Sequence, residues 1–520
     1  MIRRLSKFSC EALFVIAMSV TAPVAAGQQP PAPLSPGAKL FVEATQLEKQ
    51  GDLQGALRKC DQALSEFRRE NSPLFESLVL KEATSIHLRL GNYQKTIDVG
   101  LRAVDVAHHV GEVENEMLSR SYLGNAYTEL KMYAEGVTQF RAAFVLAQRA
   151  DDLEIASAIA DNLGTAYRRA SDIPAALEWF ERARAMKEQL GDAAGEAKIL
   201  EDLTKLYLSR SDTAQALDTY RRRRALAERT HDMVASADLS HEIGRLAWKA
   251  DRTDEAVDSY KAAAAAFHSL NYGTQEGMVL AELGTLYSRT GRPELAVPLL
   301  KDALSLLDRA DVPAETKRMM QLPVAETAGR DAHSLRQYPA SIEFYQGAVE
   351  AARTLGERTT EIRLLNDMSD SYIELGSFTK AIEVLQQARK IQVATRDASQ
   401  ESAILTNLAA AHAGLGQYET AKGFLREALA GARKAGNIDG EAIILNNLGD
   451  ISRELGMYSE ALELHNQSLP LMFVPAEDSG SRVLSMSLPR QETFGALLCG
   501  GCYSKWTHGA TISLRQNVAR

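Results

Sequence analysis

Small residues recur at fixed intervals through most of this 520-residue chain, and that repetition limits what it can fold into. Steps of 40 give Ala56, Thr96, Gly136, Ala176, Ala216, Ala256 and Ala296; after one step of 45 the series resumes at Ser341, Ala381, Ala421 and Ala461. Twelve residues before each member lies a second small column, Ala44, Thr84, Gly124, Gly164, Thr204, Gly244, Gly284, Gly329, Ser369, Ala409 and Gly449. Seven residues after each lies a third, alanine in nine of eleven copies and broken by Arg223 and Ser468. The pattern implies that two backbones approach too closely at these places to admit larger side chains, and that the same approach repeats eleven times. Such a chain is a stacked solenoid.

Larger apolar residues sit between the small columns. Leu123, Leu163, Leu203, Ile243, Leu283, Met368, Leu408 and Leu448 precede the earlier column, and Tyr127, Tyr167, Tyr207, Tyr287 and Tyr372 follow it by three. Spacings of three, four and seven place them on one helical face, so each copy reads as two helices, A and B. The break between them falls at Gly51, Gly91, Ser171, Ser211, Asp251, Gly291, Gly376, Gly416 and Gly456. A second break, after helix B, falls at Asn71, Gly111, Asp151, Gly191, Asn271, Gly356 and Gly436. These residue types suit turns and left-handed caps.

Leu163, Gly164 and Tyr167, followed by Ala176, Phe180 and Ala183, resemble the tetratricopeptide repeat, and the resemblance covers residues 37–472. The period of 40 exceeds the usual length of about 34, and in this the chain is similar to kinesin light chains, to Pins-type polarity adaptors and to bacterial arrays joined to caspase-like CHAT peptidase domains. The resemblance implies an all-α fold, a right-handed α-solenoid superhelix of about eleven helix-turn-helix repeats. It also implies a non-catalytic scaffold that binds a protein or peptide in a concave groove lined by the A helices. The alternative it leaves open is a regulatory sensor partner of a CHAT peptidase system.

The chain divides by this reading into an export signal (1–26), a proline-rich tether (27–36), repeats 1–7 (37–312), repeats 8–11 (313–472) and an irregular tail (473–520). Arg3, Arg4 and Lys7 precede an apolar stretch, and Val24, Ala25 and Ala26 form a small-residue cleavage site. The expected location is therefore outside the cytoplasm, periplasmic or secreted if the chain is bacterial, with an uncleaved anchor as the alternative. No 18-residue apolar run follows, so no membrane span is expected in the mature chain. With 68 acidic against 59 basic residues, the net charge of −9 speaks against general nucleic-acid binding.

Two irregularities interrupt the array. The five-residue excess falls at 308–313 and the next helix contains Pro323, so a bend is expected at repeat 8. Arg223 occupies an alanine position, where its stem can slide along apolar surface to reach water.

The helix A face opposite the packing columns is the candidate docking surface. It presents Arg168, Arg169, Lys198, Lys205, Arg245, Lys249, Arg289 and Arg330 against Asp161, Glu201, Asp238 and Glu326. Further on, Asn366, Asn407, Asn446 and Asn447 offer amides able to pair with an extended main chain. The surface is expected to take a protein or peptide segment carrying acidic groups. No catalytic residue, metal site or cofactor is expected: no phosphate loop, nucleophile elbow or His-Glu-x-x-His motif occurs. His87 and His412 fall in the tyrosine column, His108 and His109 diverge, and Cys60 sits at a core position. Cys499 and Cys502, with His508 nearby, read as a local disulfide or an inert tail.

Overall fold

A computed structural model describes residues 34–395 and 400–472. The expected signal, most of the tether, the tail, and Cys499, Cys502 and His508 lie outside the described residues. Among the described residues there are 22 helices and no strand, ordered from Pro36–Lys49 to Tyr458–Met472. They pair as eleven A–B repeats. Repeat 4, for example, is Leu153–Arg169 followed by Ile173–Gln189. The chain divides into two compact units, at Leu246/Ala247 within helix A of repeat 6, Met233–Lys249. From Pro36–Lys49 to Thr213–Arg229, and from Thr253–Ser269 to Tyr458–Met472, each helix packs on its neighbours in sequence, and helices A of repeats 2–4 and of repeats 7–11 also touch in succession.

The turns follow from local chemistry. Both series of expected break residues adopt left-handed backbone conformations, for example Ser171 at φ 63° and Gly111 at φ 77°. After the turn, Asp152, Asp172 and Asp192 each accept a hydrogen bond from the backbone N–H three residues on, at 2.9, 3.2 and 3.0 Å. Lys131, His231 and Arg336 also stand at positive φ. No side-chain preference marks those three in the sequence.

All three small columns are buried, apart from the half-buried Arg223. They are small for different reasons, which corrects the single cause expected from the sequence. In the helix B column the neighbours are backbone of helix A and the short side chains beside it. A Cβ on Gly136 would lie 2.9 Å from Thr128 Oγ1 and 3.1 Å from the Gly124 carbonyl, and the Ser341 hydroxyl donates to the Gly329 carbonyl at 2.7 Å. In the helix A column the neighbour is a large side chain from helix B of the same repeat. A Cβ on Gly124, Gly164, Gly284 or Gly329 would meet Phe140, Phe180, Leu300 or Tyr345 within 2.6–2.9 Å. Repeat 2 reverses the arrangement. There Thr84 stands in helix A, and a Cβ on Gly100 in helix B would meet it at 3.0 Å and Leu123 of the next repeat at 2.8 Å. The fixed quantity is the summed volume across the A–B interface.

Repeat 8 absorbs its extra residues twice. Helix B of repeat 7 ends at Asp308, and helix A of repeat 8, Ala314–Ser334, runs to 21 residues against 17 in Gly273–Arg289 and Arg358–Glu374. The helix stays continuous through Pro323, and helix B of repeat 7 packs on it. Stacking therefore proceeds across the insertion inside one compact unit. Arg223 lies with its guanidinium 5.6 Å from the centre of the Tyr220 ring, its stem along the helix surface. Cys60 is fully buried, and burial pushes its thiol well above the usual range, so its nucleophilic thiolate is suppressed.

Candidate docking face

Contact between successive A helices puts their intervening side chains on one face in each unit. The residues named from the sequence all lie on A helices, but many are already committed. In the first unit Arg169 pairs with Glu129 at 2.9 Å, Lys198 with Asp161 at 2.8 Å, Lys205 with Glu201 at 2.5 Å and Arg245 with Glu242 at 3.3 Å. In the second, Arg289 lies 5.6 Å from the centre of the Trp248 ring. No ion pair among the described residues reaches Arg168, Lys249 or Arg330, all exposed. Of the acids, Glu326 receives a two-pronged contact from Arg363 at 2.8 and 2.9 Å. Burial raises the Asp238 carboxyl above its usual range.

The cross-repeat pairs fall at two offsets. Asp161 with Lys198 and Glu326 with Arg363 are each 37 residues apart, three less than one repeat, and Glu129 with Arg169 are 40 apart. In the first two an acid on one A helix meets a cation about one turn closer to the N-terminus of the next; in the third the two positions are equivalent. Aligning the copies exposes this signal. Tallying charges along the face missed Glu129, Glu242 and Arg363.

The asparagines divide. Asn366 and Asn407 are buried, and the Asn407 amide donates to Asn366 Oδ1 at 3.0 Å and Asp370 Oδ1 at 2.6 Å. They join helices A of repeats 9 and 10, where a buried amide must find partners inside the protein. They are not open amides awaiting a ligand main chain, as the sequence alone suggested. Asn446 is half-buried and bonded to the His465 ring at 3.1 Å, whereas Asn447 is half-buried.

A second polar group, not anticipated, lies where helices A of repeats 1 and 2 meet. Lys81 and Glu82 are buried 3.3 Å apart, and Arg89 pairs with Glu48. Burial, together with the neighbouring Glu82, raises the Glu48 carboxyl to about 7. Burial opposes the charge on Lys81, but Glu82 outweighs it and holds the ammonium above its usual range.

The histidines serve separate contacts. His108 faces Glu116 at 3.1 Å, His109 faces Asp105 at 3.4 Å, and His412 stacks on Phe424 with ring centres 5.4 Å apart. His87 is half-buried, and burial, with Lys95 nearby, lowers its basicity. Among the described residues no three His, Cys, Asp or Glu side chains converge as metal ligands, and no helix is long and apolar enough to cross a membrane.

Two family profiles, both described as tetratricopeptide repeat, match residues 114–189, 235–309 and 400–472, and residues 362–392. The chain is built of tetratricopeptide repeats. No curated protein matches it. Among solved structures, the tetratricopeptide array is similar to the apo form of RapI, with 14% identity and a TM-score of 0.36 over 52% of this chain and 97% of that one. A chain from Podosopora anserina, described as a kinesin light chain with nearly identical TPR-like repeats, gives 21% identity and a TM-score of 0.32 over 37% and 93%. A signal transduction ATPase with a tetratricopeptide repeat sensor, from Pyrococcus horikoshii, gives 16% and 0.35 over 70% and 55%. Tetratricopeptide repeats of this kind are protein-interaction scaffolds.

Proposed function

We propose that this protein is a non-catalytic docking scaffold that holds a segment of a protein partner against the faces of its A helices. The observation that carries the reading is the side-by-side contact of helices A in repeats 2–4 of the first unit and in repeats 7–11 of the second, with polar side chains half-exposed along them. A surface built this way offers regularly spaced donors and acceptors to an extended chain at little cost in reorganisation. Acidic preference is proposed for Arg168, Lys249 and Arg330, three exposed cations of the A helices that neither an ion pair nor a ring contact engages, with Asn447 as an additional amide.

Retention of acidic and basic peptides on the immobilised full chain tests this. Arg168→Glu, Lys249→Glu and Arg330→Glu are expected to weaken acidic peptides and spare neutral ones; equal retention of both charge classes by the unaltered chain contradicts the charge preference. Export through residues 1–26 belongs to the same proposal, and cell fractionation checks it: a chain that stays cytoplasmic with its first residues intact contradicts it. Recovery of a caspase-like peptidase as the partner would assign the scaffold a regulatory role.

A further inference from the structure

The lengthened helix A of repeat 8 borders a cleft shared with helix A of repeat 9. Met319, Leu322 and Pro323 on that helix, with Thr360 and Arg363 on helix A of repeat 9 and Leu355 before it, line a cleft of 370 Å³. That volume lies within the range of small-ligand sites, about 300–1,000 Å³, and is ample for one side chain. Its apolar wall includes Met319, 53% exposed although it is a large thioether. An unbranched, polarisable side chain left in water at a cleft adapts to whichever apolar group enters. Pro323 has no N–H to return to the carbonyl of Met319, four residues earlier on the same helix face. A carbonyl released from the helical ladder is an acceptor for an incoming backbone N–H.

The charges select the neighbour of that side chain. Arg363 is spent on Glu326, through two contacts, and reaches Asp367 at 3.5 Å. Glu357 also lines the cleft; it is exposed and makes no side-chain cap bond to its helix. Glu326 and Glu357 against Arg363 leave the rim with one negative charge in excess.

We propose that this cleft is the anchor of the docking face, taking one aliphatic side chain of the partner segment with a lysine or arginine next to it. The proposal rests on the docking reading above. Without a partner that lies along the A helices, the cleft has nothing to anchor.

The test uses the full chain and an array of twelve-residue peptides. Their central residue is Leu, Met, Ala or Glu, the residues beside it are Lys or Glu, and acidic residues at the ends hold the net charge equal across the set. At that equal net charge, peptides with central Leu or Met and Lys beside it are expected to be retained best. Thr360→Trp, which fills the cleft, is expected to reduce their retention at least tenfold, and Glu357→Lys, an exposed change that leaves packing alone, to shift preference towards Glu flanks. Indifference to the central residue, or retention unaltered by both variants, overturns the anchor. If both variants bind normally while Arg168→Glu abolishes retention of acidic peptides, the anchor fails and the docking face stands. If no peptide is retained, the anchor fails too, and cross-linking from the A face then decides the docking reading separately.

Discussion

Replacing Gly164 by alanine tests the packing rule where its geometry is sharpest. The added Cβ would lie 2.6, 2.8 and 2.9 Å from Cδ1, Cε1 and Cγ of Phe180, whereas carbon atoms rest about 3.5–4.0 Å apart. Phe180 is fully buried, so its ring must retreat by roughly 1 Å into occupied space. Overpacking costs about 1–3 kcal/mol, and three simultaneous ring contacts place this case near the upper figure. Alanine returns about 1 kcal/mol through its better helix propensity, leaving a net destabilisation of about 2 kcal/mol. Phe180→Leu alone loses about 1–1.5 kcal/mol of packing. The double variant recreates the Ala409 and Leu425 pair of repeat 10, both buried, and should cost less than the two changes summed, by about 2 kcal/mol. Amide exchange in Leu153–Arg169 and Ile173–Gln189 reads the effect locally, which a solenoid requires because its repeats open separately. A neutral or stabilising Gly164→Ala, or additivity in the double variant, refutes the complementary-volume argument.

Other expectations follow from the same contacts. Asn407→Ala should cost about 1–3 kcal/mol by leaving Asn366 and Asp370 without their donor, seen as faster exchange in Arg358–Glu374 and Glu401–Gly414; a change below about 0.5 kcal/mol would contradict the buried pairing. The Glu48 carboxyl, raised from 4.5 to about 7 by burial and Glu82, binds a proton more tightly folded than unfolded. Its stabilising contribution is therefore complete below about pH 4.5 and lost as pH rises through about 7. Opening of Pro36–Lys49 and Pro73–Arg89, measured by exchange corrected for intrinsic rates, should become easier over that window, and Glu48→Gln should flatten the dependence. Arg223→Ala restores the column's usual residue at the loss of one partly exposed ring contact, so thermal melting should stay within about 2 °C or rise; a fall of several degrees would reveal a specific partner for the guanidinium.

The repeat number and the helix pairing were legible because three columns of small residues carry steric demands that composition cannot hide. The cause of smallness was not legible. Gly124 and Gly136 look alike in sequence, yet one faces a phenylalanine ring and the other the Thr128 hydroxyl and the Gly124 carbonyl. Turn positions were readable where Gly, Asn, Asp or Ser stood, and invisible at Lys131, His231 and Arg336, where the surrounding helices impose a conformation the residue does not favour. The polar residues of the A face were found, but their commitments were not. The partner of Lys198 or Arg363 sits 37 residues earlier, and only stacking turns that separation into a 2.8 Å contact.

Face-resolved photo-cross-linking measures the central claim most directly. A photoreactive residue is placed in turn at Ala158 and Ala403, on A helices, and at Arg182 and Gln386, on B helices, in the full chain expressed in its own cells. The account predicts that partner adducts form from the A-helix positions and not from the B-helix positions. Adducts from the B helices alone, or equal yields from both, would contradict it.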